Sequence, residues 1–380
     1  MKNKKLKKKK VLFVFGTRPE AIKMAPVIDN FKKDDLFTVI NCSTGQHKEM
    51  LDQVIDFFKI DIDYDLSLMT KNQSIAELSS RILNSFTTIL EKEKPDFIFV
   101  HGDTTTTAFA SIAAYYQKIK ICHIEAGLRT FDKYSPFPEE INRALTSKLA
   151  DLHFCPTLKS QQNLINENIS SKSIFITGNT VVDSLLYARK EVQNFENDII
   201  SVLKNKIDFN RKVILVTGHR RENFGKGLEN ICKALIEIGE NEDVEIIYPV
   251  HLNPNVKLIV EKMLSNYKNI HLVKPMDYLT FVWTMSKSNI ILTDSGGIQE
   301  EAPSFGIPVL VMRNTTERPE GIEAKTSLLV GTDIHKIVNT TKKLINNDSF
   351  YNEISNNINP YGDGKASLKI LKFFKEYIYD

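Results

Sequence analysis

The sequence predicts an α/β protein with two doubly wound, Rossmann-like domains that face a central cleft. Short apolar runs alternate with helical patterns along the chain, which is typical of parallel sheets covered by helices on both faces. An apolar strand followed by Gly, any residue, Arg, any residue and Glu occurs at Gly16 and again at Gly218, and at both places the pattern predicts the start of a helix. A repeat separated by roughly 200 residues indicates two similarly built halves. Ligands bind such sheets at the carboxyl ends of the strands, so the loops of both halves are expected to line the cleft.

Runs of apolar residues predict the strands in order. In the first half these runs are residues 11–15, 95–100 and 119–124, and in the second half 213–216, 289–292 and 309–312. Their length suits buried parallel strands. Pro19 in a first turn and the periodic Ile22 and Ile28 predict a helix after the first strand.

Two clusters of turn-forming residues predict the domain boundaries. Thr177–Thr180 ends the first half, and residues 359–364 precede a final helix predicted over Ser367–Tyr379. We therefore expect an N-terminal domain over residues 1–182 and a C-terminal domain over residues 183–364. The last segment, 365–380, is expected to return to the first domain.

Composition and charge narrow the class of protein. The 380 residues are 42% apolar and 26% charged, with a net charge of +3, as in a soluble globular protein. The lysine-rich leader, Met1–Lys10, ends at the first strand and has no aromatic residue. This favours a solvated leader over a nucleic-acid or membrane tail, and the apolar run after it is too short for a signal peptide. Cys42, Cys122, Cys155 and Cys232 form no CxxC pair, which predicts buried thiols in a reducing cytoplasm.

Arg18 and Lys23 follow the first strand at the start of a helix. A guanidinium can fork onto a phosphate and an ammonium supplies a point charge, so both are candidate anion ligands. The alternative for Arg18 is a surface salt bridge with Glu20. Its position at the carboxyl end of a strand favours the binding role.

Three acids are candidate catalytic groups. Asp103 and Glu125 end strands that are expected to be neighbours, and Glu139 follows in the next loop. Paired carboxylates beside an apolar wall have their pKa values pushed apart, which provides one base and one acid near neutral pH. The alternative for each acid alone is a helix cap or a loop ion pair.

Two histidines at strand ends are candidate ligand contacts. His219 follows a strand, where an imidazole can polarise an oxygen or hold a phosphate. His251 also follows a strand and is expected to reach the cleft. The remaining histidines lack a common ligand spacing, so no metal site is predicted.

The segment Ser295–Gly297 joins a strand to a helix. Two glycines allow a ligand to approach the backbone and a helix start offers unpaired N–H groups, which predicts an anion site, above all for a phosphate. The alternative is that Ser295 only caps the helix. Arg318 is expected to face the same anion, Glu301 to accept the hydroxyls of a ribose, and Phe281 to pack on a base.

With these motifs together, the chain closely resembles the non-hydrolysing UDP-N-acetylglucosamine 2-epimerases, a family with two Rossmann-like domains in the GT-B arrangement. The resemblance extends in order over nearly the whole chain after the leader. The matching segments are GTRPEAIKMAP (Gly16–Pro26), TGQHKEML (Thr44–Leu51), HGDTTTT (His101–Thr107), HIEAGLRT (His123–Thr130), PFPEEINR (Pro136–Arg143), TGNT, TGHRREN, YPVHLNPNV, LTDSGGIQEEAPS and TTERPEGIEA.

The resemblance implies a role for each candidate residue. The positions that match the family's catalytic set are Asp103, Glu125, Glu139 and His219. Those that match its UDP-sugar contacts are Arg18, Lys23, Asp103, Glu125, His219, Met276, Phe281, Ser295, Gly296, Gly297, Glu301 and Arg318. Met276 departs from the side chain that some relatives carry near the uracil loop.

Some members of the family also bind UDP-N-acetylglucosamine as an activator beside the active site. The corresponding candidates in the matching segments are Gln46, His47, Gln73, Arg220 and His251. Asn72 stands where some activated relatives carry arginine.

The family reaction inverts C2 of the sugar and gives UDP-N-acetylmannosamine. It proceeds by anti elimination of UDP to 2-acetamidoglucal and by re-addition with a proton delivered to the opposite face. The resemblance implies that no metal or nicotinamide cofactor is needed. It also implies a cytoplasmic homodimer that supplies precursors for cell-surface polysaccharide.

Three alternatives stand beside this interpretation. The hydrolysing branch releases free N-acetylmannosamine and UDP, but Gly16–Ala21 matches the non-hydrolysing signature. A glycosyltransferase of the same architecture is the second alternative. The third is a sugar-nucleotide-binding module without catalysis, which the complete set of acids argues against.

Overall fold

A computed structural model divides the chain into two compact units. The first comprises the residues up to Ser184 and those from Gly362 onward, and the second comprises Leu185–Tyr361. The structure describes residues 7–45, 48–70 and 73–379. The candidates Gln46 and His47, the variable position Asn72 and most of the leader lie outside the described residues.

The first unit is built on a parallel sheet. Its strands are β1 (Lys9–Phe15), β2 (Phe37–Ser43), β3 (Tyr64–Asp65), β4 (Phe97–His101), β5 (Lys120–Ile124), β6 (Leu152–Cys155) and β7 (Ile174–Ile176). They lie in the order β3-β2-β1-β4-β5-β6-β7, and each neighbouring pair is parallel. The reversal of strand order between β1 and β4 is the switch point at which doubly wound sheets bind ligands.

Helices connect these strands. They are α1 (Arg18–Lys32), α2 (Lys48–Phe58), α3 (Ile75–Glu93), α4 (Thr105–Tyr116), α5 (Glu139–Leu149), α6 (Leu158–Asn166) and α7 (Thr180–Glu191). Helix α1 begins with a complete capping box, in which Thr17 and Glu20 each bond the other's backbone N–H. The chain passes from the first unit into the second within α7.

The second unit contains its own parallel sheet. Its strands are β8 (Lys212–Thr217), β9 (Val244–Pro249), β10 (Ile270–Val273), β11 (Ile290–Thr293), β12 (Val309–Val311) and β13 (Ser327–Leu329), in the order β10-β9-β8-β11-β12-β13. Its helices are α8 (Asp198–Lys206), α9 (Lys226–Asn241), α10 (Pro254–Leu264), α11 (Tyr278–Ser286), α12 (Gly296–Glu301), α13 (Pro319–Glu323), α14 (Ile334–Asn346) and α15 (Asp348–Ser355). The predicted α/β class with two doubly wound sheets is confirmed.

The last helix, α16 (Ala366–Tyr379), packs on the first unit. Its Phe374 is fully buried, with ring centroids 5.4 Å from Phe31 and 5.1 Å from Phe99. The carboxylate of Asp183 accepts hydrogen bonds from the backbone N–H groups of Ala366 (3.1 Å) and Ser367 (2.8 Å). An aromatic core contact and a capped first turn therefore hold this helix on the first unit.

One local prediction is wrong. The pattern at Gly218 was expected to open a helix directly, as the pattern at Gly16 does. Instead a 3-10 turn spans Arg221–Asn223, and α9 begins only at Lys226. Gly225 stands before α9 with φ +74°, a conformation that glycine adopts easily.

The prediction of buried thiols is confirmed, since all four cysteines are buried and free. None of the helices in the described part of the chain has the length and apolar character that a bilayer crossing needs.

Candidate active site

The loop after β1 is organised by a buried carboxylate. Glu20 is 2% exposed, and its Oε2 accepts from the backbone N–H groups of Gly16 (3.0 Å) and Thr17 (2.8 Å). Its Oε1 accepts from the hydroxyls of Thr104 (2.7 Å) and Thr107 (3.2 Å). Burial raises the pKa of Glu20, and these hydrogen bonds oppose the rise. Glu20 thus ties the loop after β1 to the loop after β4.

Asp103 lies just beyond β4 and after Gly102, whose φ of +65° makes the turn. Arg143 of α5 donates to its Oδ2 at 2.5 Å, and the side chain of Asn142 donates to its backbone carbonyl at 3.0 Å. Burial raises the pKa of Asp103, Arg143 opposes the rise, and Glu125 adds to it. A carboxyl with a raised pKa beside a cation is suited to carrying a proton in either direction.

Glu125 lies just beyond β5, the strand next to β4. Its carboxylate contacts the ammonium of Lys23 and accepts from Asn179 Nδ2 at 2.7 Å. Its φ of +59° is in the left-handed region, which costs a non-glycine residue about 1 kcal/mol or more. Such strained residues concentrate at functional sites. Lys23, which the sequence predicts to bind a phosphate, thus forms an ion pair with the carboxylate of Glu125 in the structure.

Two buried histidines stand behind these acids. His101 Nε2 lies 3.9 Å from Glu125 Oε2, and burial lowers the pKa of His101 to about 4. His123 Nε2 lies 2.7 Å from the carbonyl oxygen of Gly102, and burial lowers the pKa of His123 to about 3. Both imidazoles are therefore neutral at physiological pH.

Glu139 begins α5 and is half-buried. It borders a cavity of about 310 Å³ within the first unit, together with Thr17, Gln73, Thr104 and Asn142. This cavity therefore joins a predicted catalytic residue to Gln73, a predicted regulatory residue. Arg18 is the first residue of α1 and lies beside Thr17.

In the second unit, His219 follows β8. Its ring stacks on that of His251, with centroids 5.3 Å apart and an interplanar angle of 14°. Its backbone N–H, like that of Arg220, donates to Asp294 Oδ2 at 2.9 Å. Burial lowers the pKa of His219, while Asp294 acts in the opposite direction. The structure thus brings together His219, Arg220 and His251.

The glycine turn after β11 lies against an arginine. Ser295 precedes α12 in an extended conformation, and a side chain built at Gly296 would place its Cβ 3.9 Å from Arg318 Cζ. A Cβ at Gly297 would lie 3.8 Å from Glu301 Oε1. The turn, Arg318 and Glu301 are thus neighbours, as the anion-and-ribose prediction requires.

Carboxylates hold the cations of this region in place. Glu300 contacts Arg318 Nε, and Arg313 donates to Glu222 at 2.6 Å and to Glu317 at 2.5 Å. The carboxylates of Glu222 and Glu317 raise the pKa of Arg313, although its burial acts in the opposite direction. Fixed guanidinium groups beside a glycine turn form an arrangement that can bind an anion with little reorganisation.

Met276 and Phe281, the candidate contacts for the base, flank the start of α11. Met276 is 8% exposed, and its sulfur accepts from the hydroxyl of Thr284 at 3.4 Å. Phe281 is half-buried and lies in the first turns of the helix.

A family model described as UDP-N-acetylglucosamine 2-epimerase matches residues 29–375. A protein of that name from Escherichia coli K12 is 53% identical over 369 residues, which cover 96% of this chain and 98% of the relative. The chain belongs to the UDP-N-acetylglucosamine 2-epimerase family. The Salmonella typhimurium epimerase is also 53% identical, over 372 residues that cover 97% of this chain and 99% of that relative. The predicted family and enzyme class are thus confirmed.

Solved structures of epimerases agree with the fold. The epimerase from Neisseria meningitidis, whose structure holds UDP-GlcNAc, has a TM-score of 0.89 and 50% identity, covering 97% of this chain and 100% of that one. The epimerase from Methanocaldococcus jannaschii, in complex with UDP-GlcNAc and UDP, has a TM-score of 0.80 and 32% identity, covering 97% and 99%.

Sequence reasoning missed four residues that organise the site. They are Glu20, Arg143, Asn179 and Asp294, and each is bonded to a predicted site residue or its loop. All four lie inside the matching segments. Asn179 and Asp294 follow β7 and β11, so a polar residue after a strand end was the available signal for these two. Glu20 lies in the first turn of α1 and Arg143 lies within α5.

Proposed function

We propose that this chain is a non-hydrolysing epimerase that interconverts UDP-N-acetylglucosamine and UDP-N-acetylmannosamine. The observation that carries the proposal is the pair of acids at the ends of adjacent strands, each with its own cation. Asp103 is paired with Arg143, and Glu125 with Lys23. Membership of the family favours UDP-N-acetylglucosamine as the substrate. The two acid–cation pairs supply the groups that we assign to proton transfer.

The chemistry requires C1–O cleavage to run ahead of proton removal. The C2–H of the sugar has no neighbouring carbonyl that would acidify it, and a carboxylate of ordinary pKa is a weak base. If the bond from C1 to the diphosphate oxygen breaks first, positive charge develops on the sugar and the C2 proton becomes easier to remove. The bonding electrons leave with UDP, and the C2–H electrons form the double bond of 2-acetamidoglucal.

The second unit supplies the groups that we assign to UDP. Arg318, beside Gly296, offers a fixed guanidinium to the departing diphosphate, whose negative charge grows during cleavage. Glu301 is assigned to the ribose and Phe281 to the base. His219 is assigned to the diphosphate, since an imidazole at a strand end can donate to a phosphate oxygen. Arg18 of the first unit is assigned to the same anion.

The first unit supplies the groups that we assign to proton exchange. Inversion at C2 needs proton removal on one face and delivery on the other, which suits acids on separate loops. Asp103, Glu125 and Glu139 lie after β4, after β5 and at the start of α5. UDP then re-adds at C1 through its phosphate oxygen, and the acid that delivered the proton is ionised again.

We further propose a cytoplasmic homodimer that supplies precursors for cell-surface polysaccharide. The four free, buried cysteines are compatible with a reducing compartment. Light scattering coupled to size exclusion tests the dimer, and the mass of a single 43.4 kDa chain would contradict it. Activation by UDP-N-acetylglucosamine, with Gln73, Arg220 and His251 among its contacts, predicts sigmoidal kinetics, whereas hyperbolic kinetics would oppose it.

Product analysis tests the reaction directly. Purified protein is incubated with UDP-N-acetylglucosamine, and phosphorus and proton NMR spectra follow the products. We expect UDP-N-acetylmannosamine to accumulate until the two nucleotide sugars reach a constant ratio. Stoichiometric UDP with free N-acetylmannosamine would assign the chain to the hydrolysing branch instead. Tight binding with no conversion would leave only a sugar-nucleotide-binding module.

A further inference from the structure

Asp294 is a buried carboxylate that the proposed mechanism leaves without a role. It follows β11 and is 0% exposed. Its Oδ2 accepts from the backbone N–H groups of His219 and Arg220, each at 2.9 Å, and from Asn223 Nδ2 at 3.2 Å. One oxygen of Asp294 therefore fixes the backbone of the loop after β8.

The other oxygen is differently placed. Oδ1 of Asp294 is buried and accepts no hydrogen bond from the part of the chain that the structure describes. It lies 3.5 Å from Nδ1 of His219. Burying a carboxylate oxygen without a hydrogen-bond donor costs from about 1 kcal/mol to several kcal/mol of folding free energy. A proton on Nδ1 of His219 relieves that cost, and such contacts commonly shorten when a ligand binds.

We propose that Asp294 is the positioning residue of His219, holding the imidazole proton on Nδ1 so that Nε2 is directed to the ligand. The stacked ring of His251 fixes the plane of the imidazole, and Asp294 fixes its rotation and its tautomer. Two contacts therefore restrict the orientation of this ring, although its side chain is 41% exposed. The identification of this ligand as the diphosphate of UDP rests on the proposed function. The position of the proton on Nδ1 does not depend on that function.

The consequence for binding follows from which nitrogen carries the proton. Neutral His219 with its proton on Nδ1 presents a bare Nε2, which cannot donate to a phosphate oxygen. A second proton turns Nε2 into a charged donor, and Asp294 stabilises that form. The charged and titratable groups that face His219 are Asp294, Arg220 and His251, and only the first favours the imidazolium.

Nitrogen NMR of the full-length protein tests the tautomer without any assay of activity. Protein labelled with ¹⁵N in its histidine rings is recorded at about pH 8, where the neutral form dominates because burial lowers the pKa of His219. The His219 signals are identified by their loss in His219→Gln. We expect the shift of a protonated nitrogen at Nδ1 and of a bare nitrogen at Nε2. A proton on Nε2 in the wild-type protein would overturn the proposal on its own.

The variant Asp294→Asn keeps the shape of the side chain but can present a hydrogen-bond donor to His219 in place of an acceptor. Its carboxamide oxygen can accept the three N–H donors, and its NH₂ group then faces Nδ1 of His219. We expect the proton of the neutral ring to move to Nε2. Because the variant also removes the carboxylate that stabilises the imidazolium form of His219, the turnover number should fall on the order of tenfold or more. An unchanged His219 spectrum in a folded Asp294→Asn protein would contradict the proposal.

Asp183→Asn is the matched control. Asp183 is also a buried aspartate that accepts two backbone N–H groups and one side-chain donor, at the start of α16. Its replacement should lower stability while leaving the His219 signals unchanged. If Asp294→Asn fails to fold, the wild-type tautomer still decides the question. If the protein proves inactive as an epimerase, the ¹⁵N result stands separately.

Discussion

The loop after β1 and the loop after β8 carry the same pattern of Gly, any residue, Arg, any residue and Glu. The two glutamates differ, however, in their burial and in their hydrogen-bond partners. Glu20 is 2% exposed and accepts four hydrogen bonds from its own loop and from the loop after β4. The side chain of Glu222 is 49% exposed and pairs with Arg313. In the second unit a different carboxylate, that of Asp294, accepts hydrogen bonds from the backbone N–H groups of His219 and Arg220.

This difference shows how one topology serves two kinds of chemistry. The first unit buries carboxylates, and burial raises the pKa of Glu20 and of Asp103. The second unit holds guanidinium groups between carboxylates beside a glycine turn. Acids with raised pKa exchange protons, whereas fixed cations hold anions. Six strands of each sheet follow the same order, so the difference lies in the residues that follow the strand ends and in the helices beside them.

Glu125→Gln should have the largest effect on activity. The amide preserves the size of the side chain but cannot accept a proton at physiological pH, so turnover should fall by roughly 10²- to 10⁴-fold. Steady-state rates measured with UDP-N-acetylglucosamine check this. Glu167→Gln, which alters a carboxylate paired with Arg129 in the same unit, is the control and should keep its rate. Near-normal turnover of Glu125→Gln would remove Glu125 from the catalytic set.

Alanine at the two equivalent glutamates tests the comparison itself. Glu20→Ala leaves the buried N–H of Gly16 and that of Thr17 without their acceptor, so the free energy of unfolding should fall by about 3 kcal/mol. Glu222→Ala removes a half-exposed partner and should change that energy by less than about 1 kcal/mol. Chemical denaturation measures both. Equal losses would show that the two loops are built alike after all.

The sequence predicted the two sheets because short apolar runs that alternate with helical patterns are typical of buried parallel strands. Strands at residues 11–15 and 213–216 are contained in β1 and β8. The sequence also predicted that Asp103 and Glu125 end neighbouring strands, and the pairing of β4 with β5 confirms this.

Contacts between distant loops escaped prediction for a physical reason. Lys23 meets Glu125 across 102 residues, and Asp294 meets His219 across 75. Neither pairing leaves a local periodic signal, because it depends on which strand ends the sheet brings together. The same limit applies to the turn at Arg221–Asn223, where a distant carboxylate replaces the local cap.

Gly296→Val tests the anion site of the second unit. Its Cβ would lie 3.4 Å from Glu317 Oε1 and 3.9 Å from the Arg318 guanidinium, so the valine side chain would occupy space beside the guanidinium that we assign to the anion. We expect UDP to bind about 10- to 100-fold more weakly by calorimetry, which corresponds to the loss of one or two charge-assisted hydrogen bonds. Gly227→Ala, which adds a methyl group 3.5 Å from Thr332, is the control. Unchanged UDP affinity in Gly296→Val would refute this placement.

The pH dependence of stability gives the smallest effect. Because the folded-state pKa of Glu20 is raised, its contribution to stability is fully present below the unfolded pKa of about 4.3 and is lost as pH rises through the folded value. Glu20→Gln does not titrate. The stability of the wild-type protein relative to Glu20→Gln should therefore decrease as pH rises from about 4 towards neutrality. Thermal unfolding of both proteins across this range measures it, and a relative stability that increases with pH would contradict the sign.

Isotope exchange in Asp103→Asn tests the division of labour most directly. In deuterated water the wild-type protein should incorporate deuterium at C2 of both nucleotide sugars. Asp103→Asn should lose this exchange by about 10²- to 10⁴-fold while binding UDP within about twofold of the wild-type affinity. Exchange near the wild-type rate, or UDP affinity that falls in parallel with exchange, would contradict the assignment of proton transfer to Asp103 and of UDP binding to other residues, chiefly those of the second unit.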